Sequence, residues 1–433
     1  MLHVGAASRT TNNTLGSRIQ GATTNRTARR IRDDLEADGL FLRNGRQAVL
    51  LVSCEVGGLE AQHVTACREA MAEAAGLCPR DILIAATHTT GPSVIPTCYG
   101  KDVDHAYLDR LRGWLVELAR EAVATARPAR IGWGVGAAHI GYNRRCCWAN
   151  GTHSMHGDTS RADFTGLEGP DDPQHLALFA VDAHGKPIAV LHHNTAHPKC
   201  FYGADFYSAD FPGEARRLVR EQLGPIPVVF FNGAIGDIGL VNLLARRREN
   251  AEQKLHRVGA MVANETLRLF GKAEFHSDVP LAHVWEDLRI SVRLPTPERL
   301  ARARRTLGRV DAGKRVGAFD IVFAHGSVLL QDTFGDDPVD VIPVHTVRIG
   351  DVALVTQPTE LYCQFGLDIK RRSPAPHTAV NSITDGFCGY CPTLTGIQGG
   401  GYSADTIYWT RLDPTAGPQV VDTASRLLRE LWR

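Results

Sequence analysis

No stretch of eighteen consecutive apolar residues occurs in this sequence, so nothing in it has the length and composition of a membrane-spanning helix. No charge of one sign dominates either. With 48 Lys and Arg against 47 Asp and Glu, the chain lacks the long-range field that draws a protein to nucleic acid or to an anionic membrane. The polyanion-binding and membrane-inserted classes are thereby set aside, and the expected partner is a small-molecule substrate. Internal repeats, low-complexity tracts and linker-like stretches are also missing, which favours one α/β unit over residues 1–433. The N-terminal MLHVGAASRTTNNTLGSR shows neither a basic start leading into an apolar run nor a small-residue cleavage site, so a cytoplasmic location is expected. There the 10 cysteines are expected as reduced thiols. Composition leaves oligomeric state undecided, a homo-oligomer included.

What the sequence does have is apolar material for a large core, 43% of 433 residues, set out in short alternating runs. Residues 47–53 read as a buried strand, 59–75 as an amphipathic helix and 81–87 as the next strand, a βαβ rhythm. A helix over 107–125 and a strand over 129–137 continue it. Residues 139–174, dense in Gly, Asp, Arg and His, read as a long loop and as the candidate substrate-covering segment. Strands over 176–181 and 187–192 flank DAHGK as a hairpin, with a helix over 214–223, a strand over 226–232 and a long helix over 246–270. Further on come a strand (279–292), a helix (297–310), a weakly patterned region (318–340) and a hairpin turning at Gly350-Asp351. A short helix (359–370), a strand (378–383) and a closing helix (420–432) complete the chain.

Ligands of α/β proteins gather at the carboxyl ends of strands, where loops carry chemistry on a rigid scaffold. Four such ends stand out: His88 after ILIAAT, His197 in HHNTAHPKC, Asp237 in FFNGAIGDIG and Glu360 in ALVTQPTE. Each has a plain structural explanation. A strand-end histidine commonly bonds a backbone carbonyl, Asp237 fits a turn cap, and Glu360 fits the first turn of a helix. Together, two imidazoles and a carboxylate from separate strand ends are the usual catalytic set for zinc with an open position.

In order along the chain, VGAAS, IRDDLEADGLFL with VLLVSCE, ATHTTGP, GYNRR, NTAHPKCFYGADFYSADFPGEA, FFNGAIGDIG, TQPTELYCQFGLDIKRRSP, and DGFCGYCPT with GGGYSAD resemble the successive blocks of the neutral/alkaline, non-lysosomal ceramidase family. The resemblance is to its N-terminal catalytic domain and to short bacterial proteins built from that domain alone. It implies an α/β fold of mixed β-sheets flanked by helices in layers, without an additional C-terminal domain. It also implies one Zn2+ ion, other divalent metals remaining open, held by His88, His197, Glu360 and Tyr390. Arg144 and Tyr402 would orient the substrate or stabilise an oxyanion, with Asp237 as a further catalytic residue. Thr90, His193 and Asp210 would contribute to substrate binding. The implied reaction is amide hydrolysis by metal-activated water.

Two departures qualify that reading. Where the family has a second histidine and a serine after the first motif, this chain is one residue shorter and reads Thr90, Gly91; and Gly239 stands at the family's Gly-Asp-Val-Ser serine. A small or medium N-acyl compound is therefore expected in place of ceramide. His192, His193, His153 and His156 are the candidates to replace the missing ring, and HSMH over 153–156 is also a candidate metal pair. Cys98, Cys146, Cys147, Cys200, Cys388 and Cys391 cluster around the motifs. A metalloenzyme using those thiols for redox or transfer chemistry is thus one alternative, and a metal-free binding protein another.

Overall fold

The computed structural model describes residues 1–20, 26–95 and 103–433. Strands β1 (Leu2–Thr10), β2 (Glu36–Asn44) and β3 (Gln47–Cys54) pair antiparallel, and β4 (Ile82–Ala86) returns parallel to β3 across helix α1 (Ala61–Ala75). After α2 (His105–Ala124), β5 (Arg127–Ala137) joins the other edge of β1, extended by the antiparallel pair β6 (Gln174–Asp182) and β7 (Pro187–Asn194). Helix α3 (Asp210–Leu223) then leads to β8 (Val228–Asn232), parallel to β7. The eight strands run in the order β8-β7-β6-β5-β1-β2-β3-β4. Helix α4 (Ala251–Phe270) precedes a second sheet, β9 (Leu281–Ser291), β10 (Val339–Ile349), β11 (Val352–Thr356) and β12 (His377–Asn381), in that order. Helices α5 (Pro297–Asp311), α6 (Ala318–Phe334), α7 (Cys363–Arg372), α8 (Leu394–Gly399) and α9 (Ala416–Leu431) belong to this second half.

The two-residue period of the strands builds the layers. Phe41, Leu50, Val52, Ile82 and Ile84 face α1 and α2, while Leu40, Leu42, Leu51 and Leu83, one position over, pack on Val347, Ile349, Val352 and Leu354 of the second sheet. Ala177, Phe179, Val190 and Phe230 face α3 and α4, and Val344, Val355 and Val380 face α7 and α9. The architecture is helices, sheet, sheet, helices: the layered α/β arrangement of mixed sheets that the sequence predicts.

Four segments differ from the sequence reading. Residues 318–340 contain α6, whose apolar side chains spread around the helix and so leave no clean stripe. The stretch 139–174 holds four short strands, Tyr142–Asn143, Arg145–Trp148, His153–Met155 and Phe164–Leu167, three of them paired with one another. The helix expected over 359–370 begins only at Cys363, because Thr359–Leu361 is a strand paired in parallel with Gly389–Cys391. The long helix starts at Ala251, where Asn250 and Gln253 form a capping box.

Candidate metal centre

His88 lies just past β4, with a left-handed backbone (φ 70°) that a non-glycine residue adopts at a cost and that clusters at functional sites. Its Nδ1 bonds the carbonyl of Gly57. His197 follows β7, and its Nδ1 lies 2.8 Å from the carbonyl of Ile238. Since a carbonyl only accepts, both rings carry their proton on Nδ1 and leave Nε2 unprotonated, the arrangement in which second partners orient metal-binding imidazoles. Glu360 and Tyr390 are direct neighbours across the short parallel pair, so the carboxylate and the phenol come from one register position on adjacent strands.

Among the described residues, the ligand atoms of His88, His197 and Glu360 lie within 4.8 Å of one another. Glu360 Oε2 is 2.9 Å from His197 Nε2 and 3.5 Å from His88 Nε2. Burial and the Arg144 guanidinium push His197 down to about 3, so the short contact sets a lone pair against a carboxylate with no proton between them. A buried pair of acceptors of this kind fits a cation: two neutral imidazole nitrogens and a carboxylate suit zinc and other borderline divalent ions.

Arg144 is brought to the same point by pairing of Tyr142–Asn143 with Ile238–Gly239. Its Nη2 donates to His197 Nε2 (3.0 Å), to the carbonyl of Gly236 (3.0 Å) and to the Tyr390 hydroxyl (3.3 Å). Its Nε is buried without a hydrogen-bond partner among the described residues. Burial and the neighbouring Glu360 push the Tyr390 phenol well above its ordinary value. Gly236 is obligatory here, since a Cβ would meet the carbonyl oxygen of Glu360 at 2.3 Å.

These groups line a cavity of about 580 Å3, a size that suits a small ligand. His88, Arg144, His197, Glu360, Tyr390 and Tyr402 all face it. Tyr402 meets Tyr390 edge to face at 5.9 Å and Trp409 at 5.6 Å. The loop carrying Tyr402 is tied down by Arg145, whose guanidinium donates to Ser403 Oγ (3.1 Å) and to the carbonyls of Gly396 (3.1 Å) and Gly400 (2.9 Å). Glu168 neutralises Arg145 at 2.6 Å. Sequence reasoning did not single out Arg145, Glu168, Lys199 or Lys254; charged residues carry no signal of convergence until the chain is folded.

Four expected site residues are placed elsewhere. Asp237 is 2% exposed and does not line the cavity. Its two oxygens accept from Asn143 Nδ2 and the amide of Cys363, both at 2.7 Å, so it ties the Arg144 strand to the turn that follows Glu360. Burial pushes its pKa up to about 6. Asp210 accepts from the amides of Cys200 and Phe211, both at 2.8 Å, at the buried start of α3. His193 sits in β7 with Nε2 3.0 Å from the carbonyl of Val380, facing the second sheet. Thr90 is buried beside Gly91, where the chain packs on the backbone of Glu55, and is not a lining residue.

Of the other imidazoles, His192 faces α4 through Thr266 (3.1 Å) and His153 bonds Glu168 (2.6 Å). Only His156 of the four replacement candidates borders the cavity; its backbone is left-handed (φ 62°), and burial beside Arg144 and Arg246 lowers it to about 4. The HSMH pair therefore diverges. Among the cysteines, Cys98 lies outside the described residues and Cys200 lines the cavity. Burial raises the thiols of Cys146, Cys147, Cys200 and Cys388, and pushes Cys391 up to about 12, so they stay protonated and unreactive.

No protein-family model matches the sequence, and no curated protein matches it. Similarity appears at the level of structure. The crystal structure of neutral ceramidase from Pseudomonas aeruginosa superposes with a TM-score of 0.74 at 17% identity, covering 99% of this chain and 75% of that one. A ceramidase complexed with C2 gives the same values, 0.74, 17%, 99% and 75%. The fold of this protein is thus the one seen in neutral ceramidase.

Proposed function

We propose that the protein is a zinc-dependent hydrolase that cleaves the amide bond of a small or medium N-acyl compound. The observation that carries this is the meeting of two carbonyl-locked imidazoles and a buried carboxylate at the wall of a ligand-sized cavity, in a fold shared with a ceramidase. A divalent ion bound there supplies Lewis acidity toward an acyl oxygen and a lowered pKa for water. The chain's own residues do the rest. His88, His197 and Glu360 hold the ion, with Tyr390 beside them as a fourth candidate ligand. Arg144 presents a fixed positive charge, where negative charge on an acyl oxygen is stabilised without reorganisation. Tyr402, held by the Arg145 loop, borders the bound substrate. Ceramide itself is disfavoured, since Thr90 and Gly91 leave out one family imidazole and Gly239 leaves out the family serine.

The thiol-based alternative has little support, because no cysteine joins the convergent group among the described residues and the cavity thiol is held protonated. Elemental analysis of the purified protein, with a panel of N-acyl amines, tests the proposal. One zinc per chain and amine release are expected. Glu360→Gln and His197→Ala each raise the zinc dissociation constant at least about 100-fold, since loss of an outer-sphere partner alone costs 10–100-fold. Full zinc retention in both variants contradicts the ligand set, and a metal-loaded protein inert toward every N-acyl compound contradicts the reaction.

A further inference from the structure

The charges around the cavity are unbalanced in a way the proposed chemistry does not use. Arg144, Lys199 and Lys254 line it as cations, against one carboxylate, Glu360. That carboxylate is already engaged by His88 and His197. Neither Lys199 nor Lys254 has an acidic oxygen within 4 Å among the described residues. Asp210, the acidic group nearest to hand for Lys199, accepts backbone amides with both oxygens from behind Cys200. On the first turn and cap region of α4, Glu252 pairs with Arg32 and Glu249 with Arg257, which leaves Lys254 without a partner there. Lys199 precedes the cavity-lining Cys200 in the chain, and Lys254 lies near enough for its charge to bear on that thiol. Another part of the lining is apolar, with Met155, Leu240, Val241 and Phe319.

We propose that Lys199 and Lys254 bind the carboxylate of an anionic N-acyl substrate, an N-acyl amino acid, whose acyl chain lies along the apolar wall. The lining combines two half-buried lysines that have no ion-pair partner among the described residues with hydrocarbon side chains, which matches a molecule with one ionised and one apolar end. A neutral amide leaves both ammonium groups unpaired, whereas a carboxylate gains charge-assisted hydrogen bonds. This inference rests on the amide-hydrolase reading and narrows its substrate class.

The test compares N-dodecanoylglycine with N-dodecanoylglycinamide, equal in length and differing in charge, on the zinc-loaded full chain. Calorimetric binding of both compounds to the protein as purified gives a readout that needs no turnover. A kcat/KM preference of about ten- to a hundredfold for the acid is expected, the range for hydrogen bonds to charged groups. The same preference is expected in binding and should weaken as salt rises. Lys199→Gln and Lys254→Gln together should abolish it, and Lys199→Arg should keep it. Equal cleavage of acid and amide, or a preference that survives in the double variant, overturns this inference while leaving the hydrolase reading intact. Lysine-dependent binding of the acid without any cleavage supports the carboxylate site and rejects the hydrolase reading. Absence of both cleavage and binding of the acid rejects this inference and leaves the hydrolase reading to the wider N-acyl panel.

Discussion

Replacing Arg145 by methionine tests whether the loop bearing Tyr402 is held in the way the contacts indicate. Arg145 is fully buried and makes four polar contacts: a 2.6 Å ion pair with Glu168, one bond to Ser403 Oγ, and bonds to the carbonyls of Gly396 and Gly400. Methionine retains much of the apolar stem but leaves the Glu168 carboxylate, itself 3% exposed, with His153 as its remaining partner of this group at 2.6 Å. Removing one member of a buried pair costs about 3–5 kcal/mol, because the other is left charged and dry. With about 2.1 cal/mol/K of unfolding entropy per residue, a chain of 433 residues loses roughly 1 °C of Tm for each kcal/mol, so a fall of about 3–5 °C is expected by scanning calorimetry. Combining Arg145→Met with Glu168→Leu should recover more than half of the loss, since the stranded charge goes with its partner. A Tm within about 1 °C of the parent in the single variant, or strictly additive losses in the pair, would refute the argument.

Other outcomes follow from particular contacts. Among the described residues, Glu36, Asp38 and Glu55 form ion pairs with Arg216 and Arg220 alone; burial raises Glu55 to about 8 and Asp38 to about 6, so the folded state retains a proton that the unfolded chain releases near pH 4.5. Stability should therefore fall as pH rises from about 5 to 8, by at most roughly 1.4 kcal/mol per unit for one proton, and Glu55→Gln should flatten that slope in denaturant midpoints; an unchanged slope counts against it. Gly236→Ala places a methyl 2.3 Å from the Glu360 carbonyl oxygen, and should lower both Tm and zinc affinity, whereas Gly308→Ala, with open space around it, should lower neither. Tyr390→Phe, which removes a hydroxyl that accepts from Arg144 at 3.3 Å, should weaken zinc binding less than Glu360→Gln in chelator competition; an equal loss would make the phenol a full ligand.

The parts of the site legible in the sequence are those that local pattern marks. An apolar run followed by a polar strand end marks His88, His197 and Glu360, and the ordered motifs add Tyr390, Arg144 and Tyr402, all of which the fold brings to one cavity. Direction within a strand was less legible. His192 and His193 are adjacent in sequence, yet the two-residue period sends one to α4 and the other to the second sheet, and neither reaches the cavity. Asp237 stands out as a polar strand end and Asp210 through the family resemblance, yet Asp237 is occupied by the amide of the distant Cys363 and Asp210 by the amides of Cys200 and Phe211, bonds that the motifs do not reveal. Helix α6 was missed because its apolar residues surround it, and the strand at Thr359–Leu361 because its partner, Gly389–Cys391, lies far along the chain.

The most direct test is a crystal of the full chain grown with zinc, with anomalous scattering recorded at the zinc absorption edge. One strong peak is predicted, about 2.0–2.2 Å from His88 Nε2, His197 Nε2 and a Glu360 carboxylate oxygen. Zinc bound only at other residues, with those three side chains directed apart, would contradict the account.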